Sequence, residues 1–233
     1  MLPGQERALF GHKGKKKRRR RCGQGVRVID DLDKTLQAFL QPVCASAPTG
    51  PPEISFANPG TGFPSEETAL PLINLFLCGI TQRDDMRENA STVQRQADGT
   101  AQVQRPPVFL SATYLITVWT DEKTDVNASQ EHGIIGTLTA ALLGTPLLPA
   151  EVFMGALSGL SAGAVTGKLS NASPARAASV YQALGNRQKL SLDYEVTFPV
   201  PVFAPQGTPL VTGRTVRFRS ITEQPSSPET PRA

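Results

Sequence analysis

Apolar positions near the start of the globular part of the chain recur every three or four residues, which is the period of an amphipathic helix. The pattern predicts a first helix with Asp30, Asp31 and Asp33 in its first turn, where the helix dipole favours negative charge. The Pro-, Gly- and Ser-rich residues 41–52 then predict a linker. The apolar positions of this helix are Val28, Leu32, Leu36, Phe39 and Leu40.

Other segments have the continuous or alternating apolar patterns of strands. Leu72–Ile80 is a nearly continuous apolar run, typical of a central strand that is buried on both faces. Val108–Thr120 alternates between two largely apolar faces, whereas Leu190–Val200 alternates apolar with polar residues. Glu53–Ala57 predicts a short strand, and Thr215–Arg219 is a candidate edge strand.

A polar stretch between two of these strands is centred on Asp98-Gly99, a dipeptide favoured in two-residue hairpin turns. Thr92–Ala97 and Thr100–Arg105 flank the dipeptide, so the sequence predicts a projecting hairpin. Its exposed edges would be natural sites for pairing with a neighbouring subunit, because edge strands carry unpaired backbone groups. A solvated loop is the alternative that the sequence leaves open.

Two more helices follow from apolar spacing and from start and stop signals. Ile134 begins a helical repeat that should stop near Pro146, and Ser173-Pro174 predicts the start of a helix over Ala175–Leu184. The order of the elements predicts an α/β (α+β) fold, with a mixed, mainly antiparallel sheet flanked by helices.

The uncharged run Gly133–Ala150 has about the minimum length of a membrane span. Pro146 and Pro149 interrupt it. We therefore favour a soluble helix that ends near Gly144 and is followed by a second short helix.

Charge is distributed unevenly along the 233 residues, whose net charge is +4. Residues 1–25 hold nine of the 24 basic side chains and a single acid, so this basic N-terminal arm carries about +8 and the remainder about −4. We divide the chain into the arm (1–25), one globular domain (26–220) and a Pro/Ser-rich tail (221–233). The arm residues expected to bind a partner are Lys13, Lys15, Lys16, Lys17, Arg18, Arg19, Arg20 and Arg21.

The partner of the arm has two interpretations. The run KGKKKRRRR would bind any polyanion through counterion release, so nucleic acid or an anionic membrane is one alternative. The acidic remainder of the chain has no recognisable nucleic-acid module and no aromatic stacking platform. We therefore prefer an arm that binds or anchors to protein, expect no nucleic-acid partner, and leave a membrane contact open.

The sequence offers no convergent set of catalytic groups. The two histidines are His12, inside the arm, and His132, expected as an exposed residue in the first turn of a helix. The three cysteines are widely spaced and form no CxxC pair, which argues against a zinc site. Residues 163–168, GAVTGK, resemble a phosphate-binding loop but have too few residues between the glycines. We expect no enzymatic activity, no cofactor and no metal.

Six segments, taken in their order and spacing, carry a family resemblance. They are VIDDLDKTLQAFL, EISFANP, PLINLFLCGI with RDDMREN after it, RPPVFLSATYLITVWT, EHGIIGTLTAALLGTPLLPAEV and YQALGNRQKLSLDYEVTFPVPVF. They resemble the terminator or cap proteins of phage-tail-like contractile injection systems, in the N-terminal domain of formerly unknown function that these proteins share. The resemblance spans about residues 26–219. The basic arm and the Gly-, Ala- and Ser-rich residues 158–171 depart from the family pattern.

The resemblance implies a tail-terminator-like fold and a structural role. It implies a homohexameric ring that sits on the last layer of the inner tube, contacts the terminal layer of the sheath and ends polymerisation. The expected partners are other copies of the chain, the inner tube protein and the sheath protein, at the cap end of a contractile particle assembled in the bacterial cytoplasm. No active site or small-molecule substrate is implied. We expect Arg87, Arg95 and Arg105, on or beside the hairpin, to face these neighbours.

Overall fold

The computed structural model of the chain contains two compact units. The first takes residues up to Glu88 together with Pro107–Val202, and the second takes Asn89–Pro106 together with the residues from Phe203 onward. The expected boundaries of the arm and of the tail lie outside the residues that the structure describes. Those residues are 27–45, 50–121, 126–170, 174–210 and 215–216.

Helices and strands alternate irregularly along the described residues. The helices are α1 (Val28–Cys44), α2 (Val126–Gly144) and α3 (Pro174–Leu184). The strands are β1 (Glu53–Ser55), β2 (Leu72–Gln82), β3 (Thr92–Arg95), β4 (Thr100–Gln104), β5 (Val108–Trp119), β6 (Thr166–Leu169), β7 (Ser191–Val200) and β8 (Gln206–Pro209). Single 3-10 turns occur at Asp84–Met86, Ala150–Val152 and Gly155–Leu157.

The first unit is built on a five-stranded sheet with the strand order β1-β2-β5-β7-β6. β1 is parallel to β2, and the other three pairs are antiparallel. This arrangement confirms the mixed, mainly antiparallel sheet. The middle strand is β5, and the apolar β2 lies beside it, with its first four residues buried and its last three exposed.

The main hydrophobic core of the first unit lies between α1, α2 and one face of this sheet. Leu32, Leu36 and Leu40 of α1 are fully buried there, as are Tyr114 and Ile116 of β5. Burial of each such side chain contributes about 1.5–3 kcal/mol. The opposite face of the sheet carries a smaller cluster under α3. Its buried members are Leu72, Leu115, Trp119, Ala177 and Tyr181.

The aspartates of α1 have more specific partners than the helix dipole. Asp31 is nearly buried, and its Oδ2 accepts a hydrogen bond from the backbone N–H of Ala156 at 2.9 Å. Asp33 lies in the second turn, not the first, and accepts the Tyr114 hydroxyl proton at 2.7 Å. The helix also continues past its predicted end to Cys44, because Cys44 falls on the buried face one turn after Leu40. These contacts fix the position of α1 against the loop and the sheet.

The second unit has a three-stranded antiparallel sheet in the order β3-β4-β8. The predicted hairpin of β3 and β4 is therefore confirmed, but its turn has three residues instead of two. The N–H of Gln96 bonds to the carbonyl of Thr100 at 2.8 Å, and Gly99 has φ +80°, the usual geometry of a three-residue hairpin loop. β8 was not predicted. Thr215 and Val216, at the start of the candidate edge strand, are not in a strand, and 217–219 lie outside the described residues.

Other predicted elements differ mainly at their ends. α2 begins at Val126, so His132 lies in its second turn instead of the first, although it is exposed as expected. Gly185 follows α3 with φ +68°, the left-handed conformation that commonly ends a helix at glycine. Among the helices described, none combines the length and apolar character that a membrane crossing requires.

Candidate functional site

The hairpin strand β3 is one of two strands among the described residues that are exposed along their whole length, the other being β8. All four residues of β3 are exposed, and Val93 is 56% exposed. Gln96 and Thr100 form a hydrogen-bonded pair at the turn. Hydrogen-bonded and non-hydrogen-bonded pairs alternate along an antiparallel ladder. The backbone groups of Gln94 therefore bond to β4, and those of Val93 and Arg95 point away from it. No described strand lies beyond β3. Its outer edge can therefore accept another strand.

The two hairpin arginines lie at opposite ends of the hairpin. Arg95 ends β3 opposite Ala101, close to the turn, and is exposed. Arg105 follows β4 at the open end of the hairpin, with its guanidinium carbon 5.2 Å from the centre of the Phe203 ring. The amide of Gln104 donates to the Phe203 carbonyl at 3.2 Å, which helps to hold the ring there. The two cations thus do not converge on one point of the sheet.

The remaining predicted binding residues lie elsewhere. Arg87 is an exposed residue of the first unit and follows the 3-10 turn Asp84–Met86, with its N–H bonded to the Asp84 carbonyl at 3.2 Å. The eight basic residues of the arm, between Lys13 and Arg21, lie outside the described residues. The assignment of all eleven residues to partner contacts stays a prediction.

A charged cluster around Glu195 was not predicted from the sequence. One carboxylate oxygen of Glu195 accepts the Ser111 hydroxyl proton at 2.6 Å and lies 3.3 Å from the Arg83 guanidinium. The other lies 3.2 Å from the Lys168 ammonium. Arg83 is also paired with Asp85 at 2.7 Å. Lys168 lies directly opposite Glu195 in the pairing of β6 with β7, so cross-strand pairing is the signal that could have revealed the cluster.

The cluster makes the stability of the first unit depend on pH. The Ser111 hydrogen bond, followed by Lys168 and Arg83, lowers the pKa of the Glu195 carboxyl below its ordinary value of 4.5. Ionised Glu195 therefore stabilises the folded state above about pH 4.5, and this contribution disappears as the pH falls through the lowered pKa.

We expect Glu195→Gln to lower the free energy of unfolding by about 1 kcal/mol at pH 7, since it removes charge-assisted hydrogen bonds from a partly exposed site. The loss should shrink as the pH falls through the lowered pKa of Glu195, where the wild-type carboxyl also becomes protonated. Urea unfolding at pH 7 and at a series of lower pH values measures the change. Ser111→Ala is the matched control that keeps the charge but removes its first hydrogen bond. The same loss at every pH would contradict the pKa argument.

A second ion pair lies beside the last residue of β5. Lys189 lies 4.6 Å from the centre of the Trp119 ring and pairs with Glu131 of α2 at 2.7 Å. Glu131 also accepts the Thr120 hydroxyl proton at 2.9 Å, and Phe63 packs edge-on against Trp119. An open cleft of about 690 Å³ is lined by Phe63, Trp119, Thr120 and Lys189 among others. The Lys189–Glu131 ion pair and the Thr120 hydrogen bond therefore connect α2 to the end of β5.

The described residues contain no metal-binding cluster. No three His, Cys, Asp or Glu side chains lie close enough within them to hold a metal ion. Burial raises the pKa of the Cys44 thiol to about 11, which disfavours a reactive thiolate. In the GAVTGK segment, Lys168 belongs to β6 and Gly167 packs against the ring of Tyr194, so these residues form a strand and not a phosphate loop.

Comparison with solved structures identifies the fold. The sheath/tube terminator of an extracellular contractile injection system, PVC, in its extended state, superposes with a TM-score of 0.60 at 22% identity, covering 84% of this chain and 65% of that chain. The tube terminating cap of the anti-feeding prophage (AFP) gives 0.51 at 19% identity, covering 84% and 61%. The chain thus has a terminator-like fold and spans less than two thirds of either structure. A comparison with curated proteins found no match.

The match to a family model extends over both units. Residues 28–213 match the Pvc16 N-terminal domain family. The chain therefore belongs to the Pvc16 N-terminal domain family, in agreement with the resemblance in the six sequence segments.

Proposed function

We propose that the chain is a structural cap of a contractile injection particle. In this role, a homohexameric ring of the chain sits on the last layer of the inner tube, contacts the terminal sheath layer and ends polymerisation of both. Membership of the Pvc16 N-terminal domain family is the observation that carries the proposal. The fold shared with the PVC sheath/tube terminator supports it. Assembly in the bacterial cytoplasm is part of the proposal, and no catalytic step, cofactor or small-molecule substrate is required.

The outer edge of β3 is the surface that we assign to contacts between neighbouring subunits. Its exposed residues and outward backbone groups suit the addition of a strand. Arg95 and Arg105 would then contact acidic groups on the neighbours, and exposed Arg87 would do the same from the first unit. The domain of residues 26–220 would form the ring.

Removal of the chain from producer cells tests the capping role. We expect particles without it to lose their defined length or to lack assembled sheath, because nothing would end polymerisation of the tube. Electron microscopy of particles from the two strains measures the length distribution, and restoring the chain on a plasmid is the control. An unchanged length distribution would contradict the proposal.

Polyanion binding through the arm is the second candidate function, favoured by the nine basic residues in the first 25. Such an arm should shift double-stranded DNA in a gel with steep salt dependence, and deleting residues 1–25 should abolish the shift. A cap needs no DNA, so this result together with normal particle lengths in the deletion strain would favour polyanion binding.

A further inference from the structure

The sheet of the second unit has an open edge at β8 as well as at β3. All four residues of β8 are exposed, and no described strand lies beyond it. The N–H of Leu210 bonds to the Gly99 carbonyl at 3.2 Å, which gives the hydrogen-bonding register of β8 against β4. By ladder alternation Gln206 and Thr208 also bond to β4, and the backbone of Gly207 points outward. One sheet therefore carries two unpaired edges, on opposite sides.

The outer edge of β8 is poor in hydrogen-bond donors. Within a planar trans peptide the C=O and the following N–H point in opposite directions, so the residue before each inward N–H directs its carbonyl outward. The outward carbonyls are those of Pro205, Gly207 and Pro209. Within residues 205–209, all of which the structure describes, Gly207 alone supplies an outward N–H, because proline has none. Two copies of β8 could thus share at most two backbone hydrogen bonds, and a strand with outward N–H groups suits this edge better.

The outer edge of β3 has the donors that β8 lacks. Val93 and Arg95 each direct an N–H and a carbonyl away from β4. We propose that β8 of one copy pairs in parallel with β3 of the next copy, with Gly207 opposite Gln94. The sheets of neighbouring second units would then join head to tail.

The hydrogen-bonding groups of the two edges match in this register. In a parallel ladder, one residue bonds to both neighbours of the residue that it faces. The N–H of Gly207 would bond to the Val93 carbonyl, and the Gly207 carbonyl would accept the N–H of Arg95. The N–H of Val93 would bond to the Pro205 carbonyl. The Arg95 carbonyl would face Pro209, which has no N–H, but it lies at the end of the strand, where water can bond to it.

The direction of the pairing follows from the strand directions within one copy. β3 and β8 are both antiparallel to β4, so they run the same way. A rotation about an axis along the strands keeps this direction and brings β3 of the next copy beside β8. Joining unlike edges leaves one free edge of each kind until a ring closes, whereas joining two β3 edges stops at a dimer. This inference rests on the proposed ring and names the strands that would hold it together.

Pairs of cysteines on the two edges test the register in assembled particles. Val93 and Gln206 are both exposed, and they would face each other across the junction. Within one copy they are separated by β4, or about 10 Å, which is too far for a disulfide. Oxidation of the double variant Val93→Cys, Gln206→Cys should therefore link neighbouring copies into a ladder of products, up to the mass of the closed ring.

The matched control is the double variant Val93→Cys, Thr208→Cys. Its thiols would be two residues out of register, with Cα atoms about 8 Å apart, so linkage should be lower on the order of tenfold. Purified particles are oxidised with copper phenanthroline and run on a non-reducing gel, and peptide mass spectrometry identifies the linked pair. The wild-type chain, treated in the same way, shows any linkage through its three native cysteines.

The outcomes separate the junction from the capping role. A ladder in Val93→Cys, Gln206→Cys that exceeds the control supports the junction. Equal linkage in the two variants, no linkage in either, or a product that stops at the mass of a dimer once the thiols are consumed overturns it. Particles of normal length that contain the chain but show no ladder overturn the junction alone. Absence of the chain from such particles overturns the capping role and the junction together.

A second pair of variants does not depend on oxidation. Gly207→Pro removes the outward N–H of β8 without breaking a bond to β4, so each junction should weaken on the order of tenfold and fewer particles of normal length should form. Gly207→Ala keeps the N–H, and its Cβ would meet no atom within 4 Å, so particle lengths should stay normal. Electron microscopy measures the lengths, and urea unfolding of the isolated chain checks that both variants fold. Normal lengths with Gly207→Pro would overturn the pairing with β8, even if the edge of β3 is required.

Discussion

Gly155→Ala should lower the free energy of unfolding by about 3 kcal/mol. Gly155 has φ +55°, a conformation that costs about 1 kcal/mol for a residue with a Cβ. A Cβ at this position would also overlap the Asp31 carboxyl group, which accepts the N–H of Ala156. Moving Asp31 aside would break a nearly buried hydrogen bond to a charged group, worth about 1.5–3 kcal/mol. Urea unfolding of the purified chain measures the loss.

The same loop supplies the control. Gly159 has no neighbouring atom within 4 Å of where a Cβ would stand and has no positive φ, so Gly159→Ala should be nearly neutral. An Asp31→Ala background lacks the carboxyl atoms that overlap, so Gly155→Ala should then cost only about 1 kcal/mol, from its backbone conformation. If Gly155→Ala costs the same in both backgrounds, Asp31 does not set the requirement for glycine.

Periodicity predicted the elements that carry the core, because their apolar side chains face one large buried surface. α1, β2, β5 and β7 all have long apolar or alternating patterns, and each was placed with small errors at its ends. The extension of α1 through Pro42 escaped prediction for a physical reason. A proline in the last turn removes one hydrogen bond, and here the burial of Cys44 outweighs that loss.

Short strands without apolar periodicity could not be predicted. β6 contains Gly167 and Lys168 and resembled a phosphate loop; it forms because Gly167 allows the Tyr194 ring to lie against the backbone and Lys168 pairs with Glu195. β8 is fully exposed, and its partner β4 is far away in the sequence. Both strands depend on long-range pairing, which local patterns do not record.

The candidate surfaces also divide into features that are local in the sequence, which could be predicted, and features that depend on long-range contacts, which could not. The hairpin could be predicted, because its turn dipeptide and flanking polar strands are local features. The outward direction of the Val93 backbone could not, since it depends on the three-residue turn, which sets the hydrogen-bonding register. The partners of Asp31 and Glu195 lie 125 and 84 residues away along the chain, beyond the reach of any motif.

Val93→Pro should disrupt capping while leaving the isolated chain folded. The N–H of Val93 points away from β4, and its side chain is 56% exposed, so proline removes a donor from the outer edge without breaking the hairpin. If a neighbouring strand pairs there, each contact loses a hydrogen bond of about 1–1.5 kcal/mol and meets the proline ring. Each contact should weaken about tenfold, and the loss is repeated around a ring. The fraction of particles with normal length in electron micrographs measures the effect.

Two variants at the same strand determine whether the outer edge itself is responsible. Val93→Thr keeps the outward N–H and a β-branched side chain, so particle lengths should stay normal. Gln94→Pro removes an N–H that points inward to β4, so it should destabilise the hairpin in the isolated chain as well as capping. If Val93→Pro leaves normal particles while Gln94→Pro does not, the hairpin is required but strand addition at its edge is not. Neighbouring subunits would then contact the second unit at a surface other than the outer edge of β3.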